Sequence, residues 1–424
     1  MIDELIKLVR EGFKTIKDHR KYNSTYSLAD LLSAGLAVFS LKDPSLLAFR
    51  LQYPLRSENL KRIYGIERIP EDTALREGLD GVEPMLLQAQ FKPLVDRLRQ
   101  EDMVKQRQVL GGFTLLAGDG TGHFCSANRS CAHCLTKQHR NGSITYHHQL
   151  LGAVWVHPEE KTVFPIAVEP IVHQDGHVKN DCELNAAKRL IPQIRHVMPE
   201  EKLLLTLDAL YANAPLIRKL KENHISFLIG VKDGYVPIQV ERLTTDGTIK
   251  EISWETKDRF CAIRFANELI INGQNQDLKV NYLEYMEVDP NTSKAIYFNS
   301  WITDLPITEE NALEMVAVAR TRWKIENETF NTLKNQGYHL EHNYGHGTKY
   351  LATNFAILTF LAFLTDQIAP CLDKSFQKAL ETCKTKRALW EKVRQVFNLL
   401  PALSMNAIYR FIALNRQVNH PMLE

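Results

Sequence analysis

Apolar residues recur at helical intervals through the first hundred residues, as in LADLLSAGLAVFSL (28–41) and EPMLLQAQFKPLVDRLRQ (83–100). Spacings of three and four put such residues on one side of a helix, and strand-like alternation is scarce here. Turn formers at Lys42-Asp43-Pro44 and Ile69-Pro70-Glu71-Asp72 separate the pieces. The pattern predicts a helical N-terminal domain over residues 1–108. It then changes. FTLLAGDG (113–120), QLLGAVWVH (149–157) and TVFPIAVEPI (162–171) are short apolar runs bounded by turns, and they predict a strand meander. A helix is expected from about Asp181 to Val197, then a buried strand LLLTLDA, a helix from Asn213 to Asn223 and the strand SFLIGV. Strands that meander and then alternate with helices imply an α/β fold, a mixed sheet flanked by helices, with its first part over 109–233. Residues 234–305 read as a β-rich insertion with turns at Thr245-Asp246-Gly247 and Asn272-Gly273. A long helix is expected from about Thr308 to Asn335, with Thr308 as N-cap and Glu309 and Glu310 in its first turn. It opens the second part of the core, 306–364, and a helical C-terminal region follows over 365–424.

Composition narrows the class without choosing a function. A chain of 424 residues, 44% hydrophobic and 24% charged, has material for a sizeable core and more than one domain. The 52 basic and 50 acidic side chains nearly cancel, so any nucleic-acid surface must be local. The richest local excess lies between Lys374 and Arg394 and includes Lys384, Lys386 and Arg387. It reads equally as a solvated helix face or a phosphate-binding or subunit-binding surface. Seven cysteines make no disulfide framework. The N-terminal MIDELIKLVREGFKTIKDHRK mixes charges unlike a signal peptide, and the apolar run Phe355–Leu364 is short for a bilayer and reads as a buried helix. These features predict a cytoplasmic protein without a membrane partner.

Three acids carry the chemistry. Asp119 follows the apolar run FTLLAG and precedes Gly120 and Gly122, which suggests a strand end and a sharp turn. Asp208 closes LLLTLD in the same way. A carboxylate at a buried strand end is costly unless it is paired or binds a metal, and each aspartate taken alone reads first as a cap on the next turn or helix. Met315, Ala319, Trp323, Glu326, Phe330 and Leu333 form one helical stripe, so Glu326 is expected within the apolar face and Glu328 on the solvated side with Lys324. Glu326 also stands four residues after Arg322, a salt-bridge spacing. Phosphodiester cleavage by two cations about 4 Å apart needs a few hard oxygen ligands from separate elements. Two strand ends and a facing helix would supply them.

The segments LLAGDGTG, LLLTLDALYANAPLI and RTRWKIENETFNTLKNQGYHLEHNYGHG resemble the three catalytic blocks of bacterial insertion-sequence transposases of the DDE class. The resemblance spans roughly residues 110–350. It implies an RNase H-like core with a β-rich insertion before the glutamate helix. It also implies that Asp119, Asp208 and Glu326 hold two Mg2+ or Mn2+ ions, and that Arg322 and Lys334 contact DNA phosphates near the cut. The expected partners are double-stranded DNA, both transposon ends and target, and a second copy of the chain in the DNA complex. The class signature has a tyrosine three residues before the arginine, where Ala319 stands, and a lysine seven after the glutamate, where Leu333 stands with Lys334 one further. An RNase H-like nuclease without joining activity and a catalytically silent DNA-binding descendant are the alternatives.

Other residues offer further chemistry. CSANRSCAHCLTKQH contains the pair Cys131 and Cys134 at zinc-ligand spacing, with Cys125, His133 or His139 to complete a Zn2+ site, against free thiols as the alternative. Trp254 is a candidate to stack on a flipped base, with a packing role as the alternative. Asp181 and Glu183 read as helix-start acids, with a place near the metals as the second reading. His147, His148 and the HNYGH segment from His342 to His346 could touch phosphate or metal, but as loop histidines they read chiefly as surface residues.

Overall fold

The computed structural model of the protein describes residues 1–21, 23–172 and 182–414. Asp181 lies outside these. Among the described residues, eleven strands form one sheet: β1 (Gln108–Val109), β2 (Phe113–Ser126), β3 (Leu135–Gln138), β4 (Ile144–Trp155), β5 (Phe164–Ile171), β6 (Lys202–Leu207), β7 (Ile225–Gly230), β8 (Lys250–Glu255), β9 (Phe260–Ile270), β10 (Lys279–Val288) and β11 (Ala295–Thr303). β5, β4 and β2 make an antiparallel meander, and β6 and β7 then add parallel to β2. The order β5-β4-β2-β6-β7, with helices on its faces, is the mixed sheet the sequence pattern predicts and the RNase H-like arrangement the resemblance implies. Residues 203–207 of β6, 114–118 of β2 and 150–155 of β4 are continuous buried runs, as strands packed on both faces are.

Residues between Gly234 and Leu305 continue that sheet. β11 pairs antiparallel with β7, and β10, β9 and β8 follow outward. The segment opens with a helix, Tyr235–Thr245, where a β-rich run was expected. Val236 and Val240 bury one side of it, a spacing of four that suits a helix.

Helices from both ends of the chain pack together. The helix Leu28–Ser40 lies against Leu351–Leu372, and Ile2–Thr15 against Met405–Ala413. Buried and half-buried charges join them. Asp366 accepts from Lys42 (2.5 Å) and from the Tyr338 hydroxyl (2.6 Å), and Asp3 accepts from the amides of Met405 and Asn406. Leu351–Leu372 has the length and apolarity of a membrane span, longer than the Phe355–Leu364 run suggested. Its apolar surface is instead buried among the protein's own helices.

Candidate active site and its surroundings

Asp119 sits in the middle of β2, which runs on to Ser126, and no sharp turn follows it. Only the parallel pairing with β6 stops near this point, at Ala117 opposite Thr206. The antiparallel hairpin with β4 continues because its partner strand is longer. Gly120 lies close to the end of the flexible Glu183 side chain. A Cβ there would meet the Glu183 carboxylate at 2.7 Å.

Continuing the β2–β6 register by two residues brings Asp119 level with Asp208, on neighbouring strands. Asp208 also caps the short turn Ala209–Tyr211, accepting from the Leu210 amide at 2.9 Å. Tyr211 donates to Glu183 at 3.2 Å. Burial first, then the carboxylates of Glu183, Asp208 and Asp119, push its hydroxyl well above the ordinary phenol range. Glu183 begins the helix Glu183–Val197, so it is a helix-start acid that also faces this cluster.

The predicted helix from Thr308 to Asn335 is broken into segments. Ala312–Ala319 is α-helical, Arg320–Arg322 a 3-10 turn, Ile325–Phe330 a π turn and Asn331–Asn335 α again. Tight and then wide turns shift the angular register, so the stripe read at regular spacing does not hold. Met315, Ala319, Phe330 and Leu333 are buried, but Trp323 and Glu326 are exposed. Lys324, expected in solvent, is buried and donates to the carbonyls of His157, Pro158 and Glu160 at 2.5, 2.7 and 2.7 Å. Glu328 is half-buried, away from full solvation.

Arg322 binds the site together. Its guanidinium donates to Asp119 Oδ2 at 2.6 Å and pairs with Glu326 Oε1 at 2.7 Å. It thus faces the carboxylates. Burial drives the Asp119 carboxyl up to about 6, Arg322 opposes that, and a hydrogen bond to Glu326 adds to it. A buried carboxyl with a neighbouring acid and a raised pKa is short of positive charge. The donor set is carboxylate oxygen throughout, which fits Mg2+ or Mn2+.

The remaining candidates are dispersed. Lys334 pairs with Glu341 at 2.9 Å. Trp254 is half-buried and stacks on Tyr285 with ring centres 6.2 Å apart, so its packing role has a partner. The basic stretch divides between two helices at Lys384, whose φ of 65° ends the first. Lys386 is half-buried, its ammonium pushed down by desolvation with Asp366 opposing, and Arg387 is exposed opposite Glu391.

The cysteine expectation is corrected in part. Cys131 and Cys134 come together, but Cys125 is exposed, paired in register with His147 on the face of β2–β4 opposite His148. His139 instead bonds Thr145 Oγ1 at 2.8 Å, and His133 stacks on Tyr350. The partners of the two thiols are His148 and His346, a pairing no local spacing reveals.

The family model described as the transposase DDE domain matches residues 137–364, just over half of the chain. Asp208, Arg322 and Glu326 fall inside that match, and Asp119 precedes its start. Comparison with curated proteins gives no match.

Proposed function

The chain belongs to the transposase DDE-domain family, and from that premise we propose that it cleaves transposon ends and joins them to target DNA, using divalent cations held by Asp119, Asp208 and Glu326. Water first hydrolyses a phosphodiester at the element's end, leaving a 3′-hydroxyl and a 5′-phosphate. That hydroxyl then attacks a target phosphodiester, forming one new bond and releasing the target's own 3′-oxygen. Bound between the carboxylates, Mg2+ would stabilise the leaving oxygen and acidify the attacking hydroxyl.

The chain's own residues position and charge the site. The observation that carries the reading is the convergence of Asp119 and Glu326 on Arg322, with Asp208 level on the next parallel strand. Arg322 screens the two acids from each other, and cations entering would free its guanidinium for a DNA phosphate. Lys334 could serve the same backbone once released from Glu341. Glu326 is open to solvent, as an acid that meets a DNA strand must be. Double-stranded DNA would be both substrate and target, bound by two copies of the chain.

Asp119→Asn, Asp208→Asn and Glu326→Gln should each lose Mg2+-dependent cleavage by at least about a hundredfold while end binding survives. Glu328→Gln should stay active, because its carboxylate faces Lys161 and Lys386 across a separate cavity. Wild-type cleavage that survives any of the three substitutions would overturn the assignment. Joining of a pre-cut end to plasmid DNA separates a transposase from a nuclease that only hydrolyses.

A further inference from the structure

Four ligand-type side chains from three distant parts of the chain meet in one place. Cys131 and Cys134 lie in the loop before β3, His148 on β4, and His346 just ahead of the helix Leu351–Leu372. Continuing the β3–β4 register past Leu135 opposite His147 puts Cys134 across from His148. Sγ of Cys131 and Sγ of Cys134 are 3.4 Å apart, and each lies 3.3 or 3.4 Å from His148 Nε2. His346 Nδ1 is 3.8 Å from Cys134 Sγ and 3.4 Å from His148 Nε2. A tetrahedron with Zn–S of about 2.3 Å and Zn–N of about 2.0–2.1 Å has edges of about 3.3–3.8 Å. All five distances fall within this span.

We infer that Cys131, Cys134, His148 and His346 form a closed, structural zinc site, separate from the carboxylates. Two thiolates and two imidazoles are the soft and borderline donors that tetrahedral zinc takes, whereas magnesium prefers oxygen. With four protein ligands, no position remains for water, so the role is structural rather than catalytic.

The surroundings hold the ligands in place. Gly345 and Gly347 have φ of 123° and 66°, which bend the backbone around His346. Asp80 accepts from the amides of Thr348, Lys349, Tyr350 and Leu351, fixing the same segment from its other side. Phe124 meets the His346 ring edge-on at 4.2 Å. A bound ion would cross-link the outer end of the β2–β4 hairpin to the segment after the glutamate helix. Asp119 lies earlier on β2, and Glu326 on the helix that leads into that segment, so the ion would brace the elements on both sides of the candidate active site.

The test is elemental analysis of the full chain, purified without added zinc and dialysed against a weak chelator. About one zinc per chain is expected, released in step with titration of thiols by a mercurial. Cobalt exchanged for zinc should show the visible bands of a tetrahedral thiolate site. Cys131→Ser, Cys134→Ser and His346→Ala should each lose the metal and lower Tm, while Cys125→Ser and His139→Ala keep it. Should the ligand variants fail to fold, Cys131→His and His346→Cys, which conserve a donor, should still hold one zinc. Folded wild-type protein without stoichiometric zinc would overturn the inference, as would a Cys131–Cys134 disulfide or zinc lost on replacing Cys125. None of these readouts depends on DNA cleavage, so they stand or fall apart from the proposed transposition.

Discussion

At the scale of single residues, Asp119 makes the most testable claim. Its folded-state pKa of about 6 exceeds the unfolded value of 3.8. Between those values the native state holds more protons than the unfolded chain, so stability falls as pH rises through that window. Above about pH 6 the loss is complete, at most about 3 kcal/mol at about 1.4 kcal/mol per pKa unit. An amide at this position resembles the protonated acid and has no such deficit. Without divalent metal, Asp119→Asn should therefore melt higher than wild type at pH 8 and almost equally at pH 4. Adding Mg2+ at pH 8 should raise the wild-type Tm and leave the variant unmoved. Calorimetry at the two pH values decides it, and equal melting at pH 8 would mean that Asp119 is not strained by burial.

At the scale of elements, the π turn Ile325–Phe330 explains a spacing that sequence comparison leaves odd. A π turn closes over one residue more than an α turn. The chain has one residue more between Glu326 and Lys334 than the transposase signature has between its glutamate and lysine. The wider turn takes up that residue, so the downstream helix keeps Leu333 in the core. Deleting the exposed Asn327 should convert the turn to regular α-helix and leave Tm within about 5 °C of wild type. A far larger drop in thermal melts would show that the turn is required by its surroundings rather than by chain length.

At the scale of the whole molecule, the question is where a nearly neutral chain grips DNA. The Lys374–Arg394 stretch has fewer free charges than its sequence suggests, because Lys386 is half-buried near Asp366 and Arg387 faces Glu391. Each phosphate contact contributes about −0.9 to the slope of log affinity against log salt. Replacing Lys384, Lys386 and Arg387 with alanine should flatten that slope by no more than about two units, measured on end-containing and random DNA alike. An unchanged slope would move the grip elsewhere, to the N-terminal helices that pack beside this region.

Local order along the chain was legible because it depends on neighbours in sequence. The change from helical to strand-like periodicity near residue 109, the strands around Asp119 and Asp208 and the helix Glu183–Val197 all follow from residue spacing and turn chemistry. Asp119 and Asp208 stand out on paper as charges closing apolar runs, whereas Glu326 rests on the resemblance, because the stripe that pointed to it does not hold. Regular spacing failed where the backbone left regularity: it put Glu326 inside and Lys324 outside, and a 3-10 turn followed by a π turn reverses both. Tertiary structure alone decided that Arg322 joins Asp119 to Glu326, that Glu183 reaches Gly120, and that His148 and His346 are the partners of Cys131 and Cys134. Those contacts close loops of up to about two hundred residues, a cost met by core packing that no local pattern encodes.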